Sequence, residues 1–214
     1  MGPASIPARA SKLSLILLFA VLAGLLAGLA RARYRKCKLQ VPSLNGIWLV
    51  PIAFVGQIIA LRIQSLWSII PDGVVPLGLI SSQLILLAFA WINRRQPGFW
   101  MLGLGLALNF IVMIANGGLM PVSTETASRI TQDNLAARWE IGQRFGISKD
   151  IVLNAPDIRL GFLSDRFVLP DWVPYRVAFS LGDVLIGVGA FWMMWSLAGC
   201  QEPPVRINKG AVLT

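Results

Sequence analysis

Leu13–Ala30 is a run of 18 residues without a charge, and it leads directly into Arg31, Arg33, Arg35, Lys36 and Lys38. A helix over that run spans about 27 Å, close to the hydrocarbon thickness of a bilayer. A cleaved signal peptide carries its positive charge ahead of the apolar run. Here most of the charge follows it, which predicts a retained membrane span. Four more apolar runs come after it: 44–61, bounded by Arg62; 74–92, bounded by Asn93, Arg94 and Arg95; 99–115; and 177–198. The expected fold is therefore an all-α integral membrane protein, with five transmembrane helices forming one membrane domain over residues 1–214. An outer segment, 116–176, separates the fourth and fifth spans.

Composition agrees. Charged residues make up 14% of the chain and hydrophobic residues 56%, with a mean hydropathy of +0.68. A soluble domain carries about 25% charged residues. A disordered chain, a disulfide scaffold and an ordinary soluble enzyme are all excluded on these grounds.

The net charge of +9 is unevenly placed. Five cations follow run one, Arg94 and Arg95 follow run three, and Arg206 and Lys209 outnumber Glu202 in the tail. With five spans these segments share a side, and the positive-inside rule assigns them to the cytoplasm. The N-terminus then lies outside, as does the outer segment, whose seven basic and seven acidic residues cancel. Arg9 and Lys12 oppose this orientation weakly. Trp48, Trp67, Trp91, Trp100, Trp172 and Trp195 fall near run ends, where indole rings favour the membrane interface. The cluster Arg31, Arg33, Arg35, Lys36 and Lys38 also suits anionic lipid. No nucleic-acid motif accompanies the charge, so nucleic acid is not an expected partner. The chain has no histidine and no clustered thiolates, so neither a metal nor a cofactor is expected.

Within the outer segment, Ser123 or Thr124 is placed to cap a helix and Gly146 to end it. Ala127, Ile130, Asn134, Ala137 and Ile141 recur at helical spacing between them, with Trp139 and Phe145 adding apolar bulk. This predicts an amphipathic helix over about 124–145. Prolines at 156, 170 and 174 then predict an extended or looped stretch packed back on the bundle.

A few polar groups stand where lipid makes them costly. Asn109 lies inside run four, roughly 10 Å below its outer end, and Asn116 is seven residues later on the same face. Gly117 and Gly118 follow, reading either as a glycine helix stop closed by Pro121 or as backbone opened toward a ligand. Asp183 is the one acidic residue inside a run. With Ser180 it forms a capping box if the helix starts at Leu181; a start near Val177 places it about 9 Å deep, where it needs a cation. Arg62 and Arg176 are the nominated partners. Asp165, in Leu163-Ser164-Asp165, echoes Leu181-Gly182-Asp183, and these residues together suggest one outward-facing polar site. Ala20, Gly24 and Gly28 form a small-residue stripe for close helix packing, and Gly103, Gly105, Gly187 and Gly189 suggest similar contacts.

The stretches Asn93-Arg94-Arg95 with Pro97-Gly98, Leu108-Asn109-Phe110, and Asn116-Gly117-Gly118-Leu119-Met120-Pro121-Val122 resemble an uncharacterised family of bacterial multi-span membrane proteins, a domain of unknown function. A Leu-Gly-Asp loop motif and a final-helix Gly-Asp belong to that resemblance. Leu163-Ser164-Asp165 matches the first with serine in place of glycine, and Leu181-Gly182-Asp183 matches the second. The resemblance covers about residues 13–198 and implies a bacterial inner-membrane protein without supplying a reaction.

The leading expectation is a non-enzymatic assembly or ligand-binding component of the membrane, with a membrane-protein partner. The alternative is a small-solute or ion transporter using Asn109, Asn116 and Asp183. An enzyme using Asp165 and Asp183 as acid and base ranks third, because no nucleophile or metal cluster accompanies them; no catalytic residue is assigned.

Overall fold

A computed structural model describes residues 12–36, 39–66, 73–131, 141–144, 148–170, 172–173 and 176–199; the side chains of 12–15, 62–66 and 131 lie outside that description. The described chain is mostly helical, with six α-helices. Four come first: α1 (Lys12–Tyr34), α2 (Leu49–Leu66), α3 (Val74–Ile92) and α4 (Phe99–Ala115). The outer segment then contributes β1 (Met120–Ser123), α5 (Thr124–Thr131), β2 (Asp150–Leu153), 3-10 turns at Ala155–Asp157 and Gly161–Leu163, and β3 (Phe167–Val168). The chain returns through β4 (Ala178–Phe179) into α6 (Leu181–Ser196).

The apolar helices pack in the spatial order α1, α6, α4, α3, α2. Helix α6 is held between α1 and α4 by glycines that bring backbones together. A Cβ on Gly24 would overlap the Phe191 carbonyl oxygen at 2.5 Å, and one on Gly28 would lie 2.9 Å from that of Met194. On the other side, Gly98 faces Gly189, and Gly105 faces Gly182, each a heptad along its helix. The stripe Ala20, Gly24 and Gly28 is thus the α1–α6 seam, and its Ala20 lies against Gly187. Gly103 and Gly187 have room for a methyl group, with nearest atoms at 3.5 and 3.7 Å.

One end of the bundle collects the basic turns. Asn93, after α3, joins the α1–α2 connection: its Oδ1 accepts from Asn45 N at 2.9 Å, and its Nδ2 donates to the Asn45 carbonyl at 2.9 Å. Gln40 N donates to the Leu197 carbonyl at 2.8 Å, and Leu39 forms a bridge with Ala198. Arg31 lies over the Trp195 ring and Arg94 over Trp91, with Trp91 edge-on to Trp100 at 6.3 Å.

Two helices, α1 over Ile16–Tyr34 and α3 over Val74–Ile92, are long and apolar enough to cross a membrane. The apolar helices at Leu49–Leu61, Phe99–Ala115 and Leu181–Ser196 are shorter. The runs at 74–92 and 99–115 coincide with α3 and α4. The second starts five residues later than expected, because Asn45 and left-handed Gly46 form a turn first. The fifth starts at Leu181, since 178–179 pair with 167–168 as an antiparallel ladder.

Two expectations fail in the outer segment. The chain is not all-α: β1 and β2 form a parallel pair in register from Met120 opposite Asp150 to Ser123 opposite Leu153, and β3 pairs with β4. Nor is the chain helical throughout 124–145. Helix α5 occupies Thr124–Thr131 with Ser123 Oγ accepting from Thr126 N, and Ala127 and Ile130 are buried as its periodicity predicts. Residues 132–140, which include Asn134, Ala137 and Trp139, lie outside the described residues, as do Phe145 and Gly146. At 141–144 the chain is not helical: Gly142 N donates to the Val152 carbonyl and Val152 N to that of Gln143, so this stretch lies along β2. Backbone groups satisfied by a strand neighbour do not need a helix.

The outer segment closes over the α3–α4 end as a cap. Leu163, Met120 and Leu119 join Val75, Leu79, Val112 and Met113 in one core cluster. Pro156 sits in the 3-10 turn Ala155–Asp157 rather than in extended chain, Pro170 lies in irregular chain, and the loop returns to the bundle through Leu163.

Candidate functional site

Helix α4 ends with the geometry its glycines predict. Gly117 and Gly118 have φ of 76° and 88°, a left-handed conformation that strains any residue with a Cβ. Gly118 N donates to the Met113 carbonyl at 2.6 Å and Gly117 N to that of Ile114 at 3.4 Å, the pair of bonds of a Schellman stop. A Cβ on Gly118 would also press on Pro76 of α3 at 2.5 Å. The glycines therefore terminate α4 and let the cap approach α3.

Asn116 clasps the cap loop. Its Nδ2 donates to the Arg159 carbonyl at 2.9 Å, and Arg159 N donates to its Oδ1 at 3.0 Å. The same amide donates to the Val112 carbonyl at 2.8 Å. This places Asn116 on the cap loop, away from the Asn109 environment.

Asn109 and Asp183 meet. Asp183 sits in the first turn of α6, where Ser180 Oγ accepts from Asp183 N at 3.0 Å and Ser180 N donates to Asp183 Oδ2 at 3.1 Å. That is a reciprocal capping box, with the carboxylate at the positive end of the helix. Asn109 Nδ2 donates to Asp183 Oδ1 at 2.8 Å, and Ser180 Oγ donates to Asn109 Oδ1 at 2.9 Å. All three residues are buried. A closed polar ring thus ties α4 to the start of α6. Gly182 makes it possible, because a Cβ there would collide with Asn109 Oδ1.

Among the described residues, the cation paired with Asp165 and nearest in charge to Asp183 is Lys149, which the sequence does not single out. Its ammonium lies 3.8 Å from Asp165 Oδ2 and within electrostatic reach of Asp183 and Asp150. Asp150, Asp165 and Asp183 are each 3–4% exposed. Burial pushes the Lys149 ammonium toward the neutral form, but the three carboxylates outweigh it and raise its pKa above the ordinary lysine value. Arg144 flanks the group: it donates from Nη2 to the Ser148 carbonyl at 2.8 Å, and burial lowers its pKa against the opposing pull of Asp150. Ser148 Oγ donates to Asp150 Oδ2 at 3.1 Å.

The nominated Asp165 and Asp183 therefore do converge, on one ammonium. Asn109 joins through Asp183. Arg176 instead donates to the Arg129 carbonyl at the end of α5, at 3.3 Å. The side chain of Arg62 lies outside the described residues. Lys149-Asp150 was legible only as one more opposite-charge pair in a neutral segment. The signal was its position directly before Ile151-Val152-Leu153, an apolar strand that draws both residues inward. Among the described residues no group of three or more histidine, cysteine or acidic side chains is arranged to hold a metal ion. What the arrangement does chemically is fix charge: a partly buried ammonium pairs with Asp165 inside the cap, and a closed hydrogen-bond ring fastens α4 to the start of α6.

The outer surface of the cap contrasts with this interior. Ile141, Phe162 and Trp172 are more than half exposed, and Arg166 lies over the Phe167 ring. Leu160 has φ of 56°, the left-handed region, unusual for a bulky side chain, and sits beside the residue clasped by Asn116.

A family model described as a family of unknown function (DUF5317) matches residues 42–195. An uncharacterized protein of Thermotoga maritima is 27% identical over 169 residues, covering 76% of this chain and 82% of the relative. No solved structure matches the chain.

Proposed function

The chain belongs to the DUF5317 family, whose function is unknown, and we propose from its geometry that it is a non-enzymatic, five-span component of the bacterial inner membrane whose cap binds a partner subunit on the outer side. The observation that carries this reading is the division of polar and apolar groups between the inside and the outside of the cap. Both oxygens of Asp183 and both ends of the Asn109 amide are engaged within the protein, as is the Asn116 amide. The outer face meanwhile presents Phe162 and Trp172 with Arg159 and Arg166, the aromatic and arginine composition of protein interfaces.

The five-span frame is supported by what the helices expose. Leu18, Leu22, Leu26 and Leu29 of α1 form a stripe at helical spacing; so do Leu77, Leu84 and Trp91 of α3, Leu104, Ile111 and Ile114 of α4, and Val184, Val188, Trp192 and Trp195 of α6. Ile52, Val55 and Ile59 do the same on α2. A water-soluble monomer rarely presents apolar patches beyond a few hundred Å²; hydrocarbon favours them. In this frame the basic turns face the cytoplasm and the cap faces outward.

A photocrosslinking residue at position 162 or 172, in native membranes, tests the partner role. The expected product is one discrete protein adduct, lost when Arg166→Glu is added. Adducts to lipid alone, or to many proteins regardless of Arg166, overturn it.

A further inference from the structure

We propose that the crevice at the basic end of α1 seats one anionic phospholipid, with its phosphate between Arg33 and Lys36 and its chains along the α1 leucine stripe. This inference rests on the bilayer reading above. The crevice is lined by Leu29, Ala30, Ala32, Arg33, Lys36 and Leu39. Leu29 is both its apolar floor and the last member of the exposed stripe Leu18, Leu22, Leu26 and Leu29, so a surface suited to acyl chains runs without a break into one suited to a headgroup.

Lys36 and Leu39 form the far side. Lys36 turns the chain at φ 53°, and Leu39 is then pinned to the end of α6 by its bridge with Ala198 and by the 2.8 Å bond from Gln40 N to the Leu197 carbonyl. Arg31 is directed elsewhere, over the Trp195 ring at 5.7 Å. Arg33 and Lys36 remain exposed at the mouth. The carbonyl end of a helix repels an anion, so the attraction comes from these side chains. The segment that carries them holds no acidic residue, the first in the chain being Asp72. An arginine fork and a lysine ammonium over an apolar floor match a phosphodiester attached to hydrocarbon.

The test uses the full chain purified from membranes, exchanged into nanodiscs of equal phosphatidylglycerol and phosphatidylcholine, and released for native mass spectrometry. One retained phosphatidylglycerol per chain is expected. Arg33→Gln with Lys36→Gln lowers that preference about thirtyfold, the effect of removing two cations near an anionic surface. Leu29→Ser with Leu39→Ser lowers retention with all charges intact, whereas Arg95→Gln, at the same end but outside the crevice, leaves it unchanged. No stoichiometric lipid, equal loss in Arg95→Gln, or displacement by millimolar inorganic phosphate overturns the seat. A chain that does not fractionate with membranes at all overturns the bilayer reading instead.

Discussion

Replacing Asn109 by alanine separates two helices that the polar ring holds together. The substitution removes a 2.8 Å bond to a buried carboxylate oxygen and strands the Ser180 hydroxyl, which donates to Asn109 Oδ1 at 2.9 Å. A hydrogen bond to a charged group contributes roughly 1.5–3 kcal/mol, and an unsatisfied buried hydroxyl adds about 1 kcal/mol. The expected loss for Asn109→Ala is therefore about 3 kcal/mol. Part of any such loss is a packing defect, so the sharper quantity is the coupling energy from a double-mutant cycle with Asp183→Ala. Neutral side-chain bonds between transmembrane helices average only about 0.6 kcal/mol, because the unfolded chain in the membrane finds other partners. A charge-assisted bond from Asn109 to Asp183 predicts about 2 kcal/mol instead. Reversible unfolding in mixed micelles, followed by tryptophan fluorescence, measures both singles and the double. A coupling at or below the neutral average would refute the idea that a charge-assisted ring fastens α4 to α6.

Removing the cation, Lys149→Met, leaves the buried Asp165 without its ion-pair partner and is expected to cost about 2–3 kcal/mol, seen as protease sensitivity of the cap before the bundle opens. Because the folded pKa of Lys149 is raised, its stabilising contribution is fully present below the unfolded lysine value, about 10.4, and declines only as pH rises beyond it; titration of unfolding above pH 10 should narrow the gap between wild type and Lys149→Met, while no narrowing refutes the linkage. Among the packing glycines, Gly105→Ala is expected to lose about 1–3 kcal/mol against the rigid backbone at Gly182 and Ile186, whereas Gly103→Ala, with 3.5 Å of room, is tolerated; equal thermal midpoints for the two would contradict the seam. Gly118→Ala combines left-handed strain with the Pro76 contact and should be more damaging than Gly117→Ala, which carries the strain alone.

The apolar frame was legible because its signals are local. The polar and glycine residues that bound the runs at 74–92 and 99–115 coincide with the ends of α3 and α4, and Gly24 and Gly28 lie close to the backbone of α6. The Ser180–Asp183 capping box also reads directly from four consecutive residues, and it decides where α6 begins. The cap was less legible. Strand β1 is four residues long and pairs with a strand about 30 residues later, so no periodicity within either segment reveals the ladder. Gln143 and Arg144 fit an amphipathic pattern, yet their backbone is drawn to β2. Lys149 is hidden for the same reason: its importance depends on carboxylates 16 and 34 positions away that only the folded chain brings near it. Asn93 looked like a helix boundary, while its amide in fact joins two basic turns.

The opposite placement of the cap and the basic turns across a bilayer is tested most directly by cysteine labelling. One variant keeps Cys37 and carries Cys200→Ser; the other carries Cys37→Ser, Cys200→Ser and Trp172→Cys. An impermeant maleimide added to intact cells with a permeable outer envelope should label the variant carrying Trp172→Cys at once, and Cys37 only after the inner membrane is opened. Labelling of both from the same side would contradict the five-span arrangement, and with it the outward cap and the inward lipid seat.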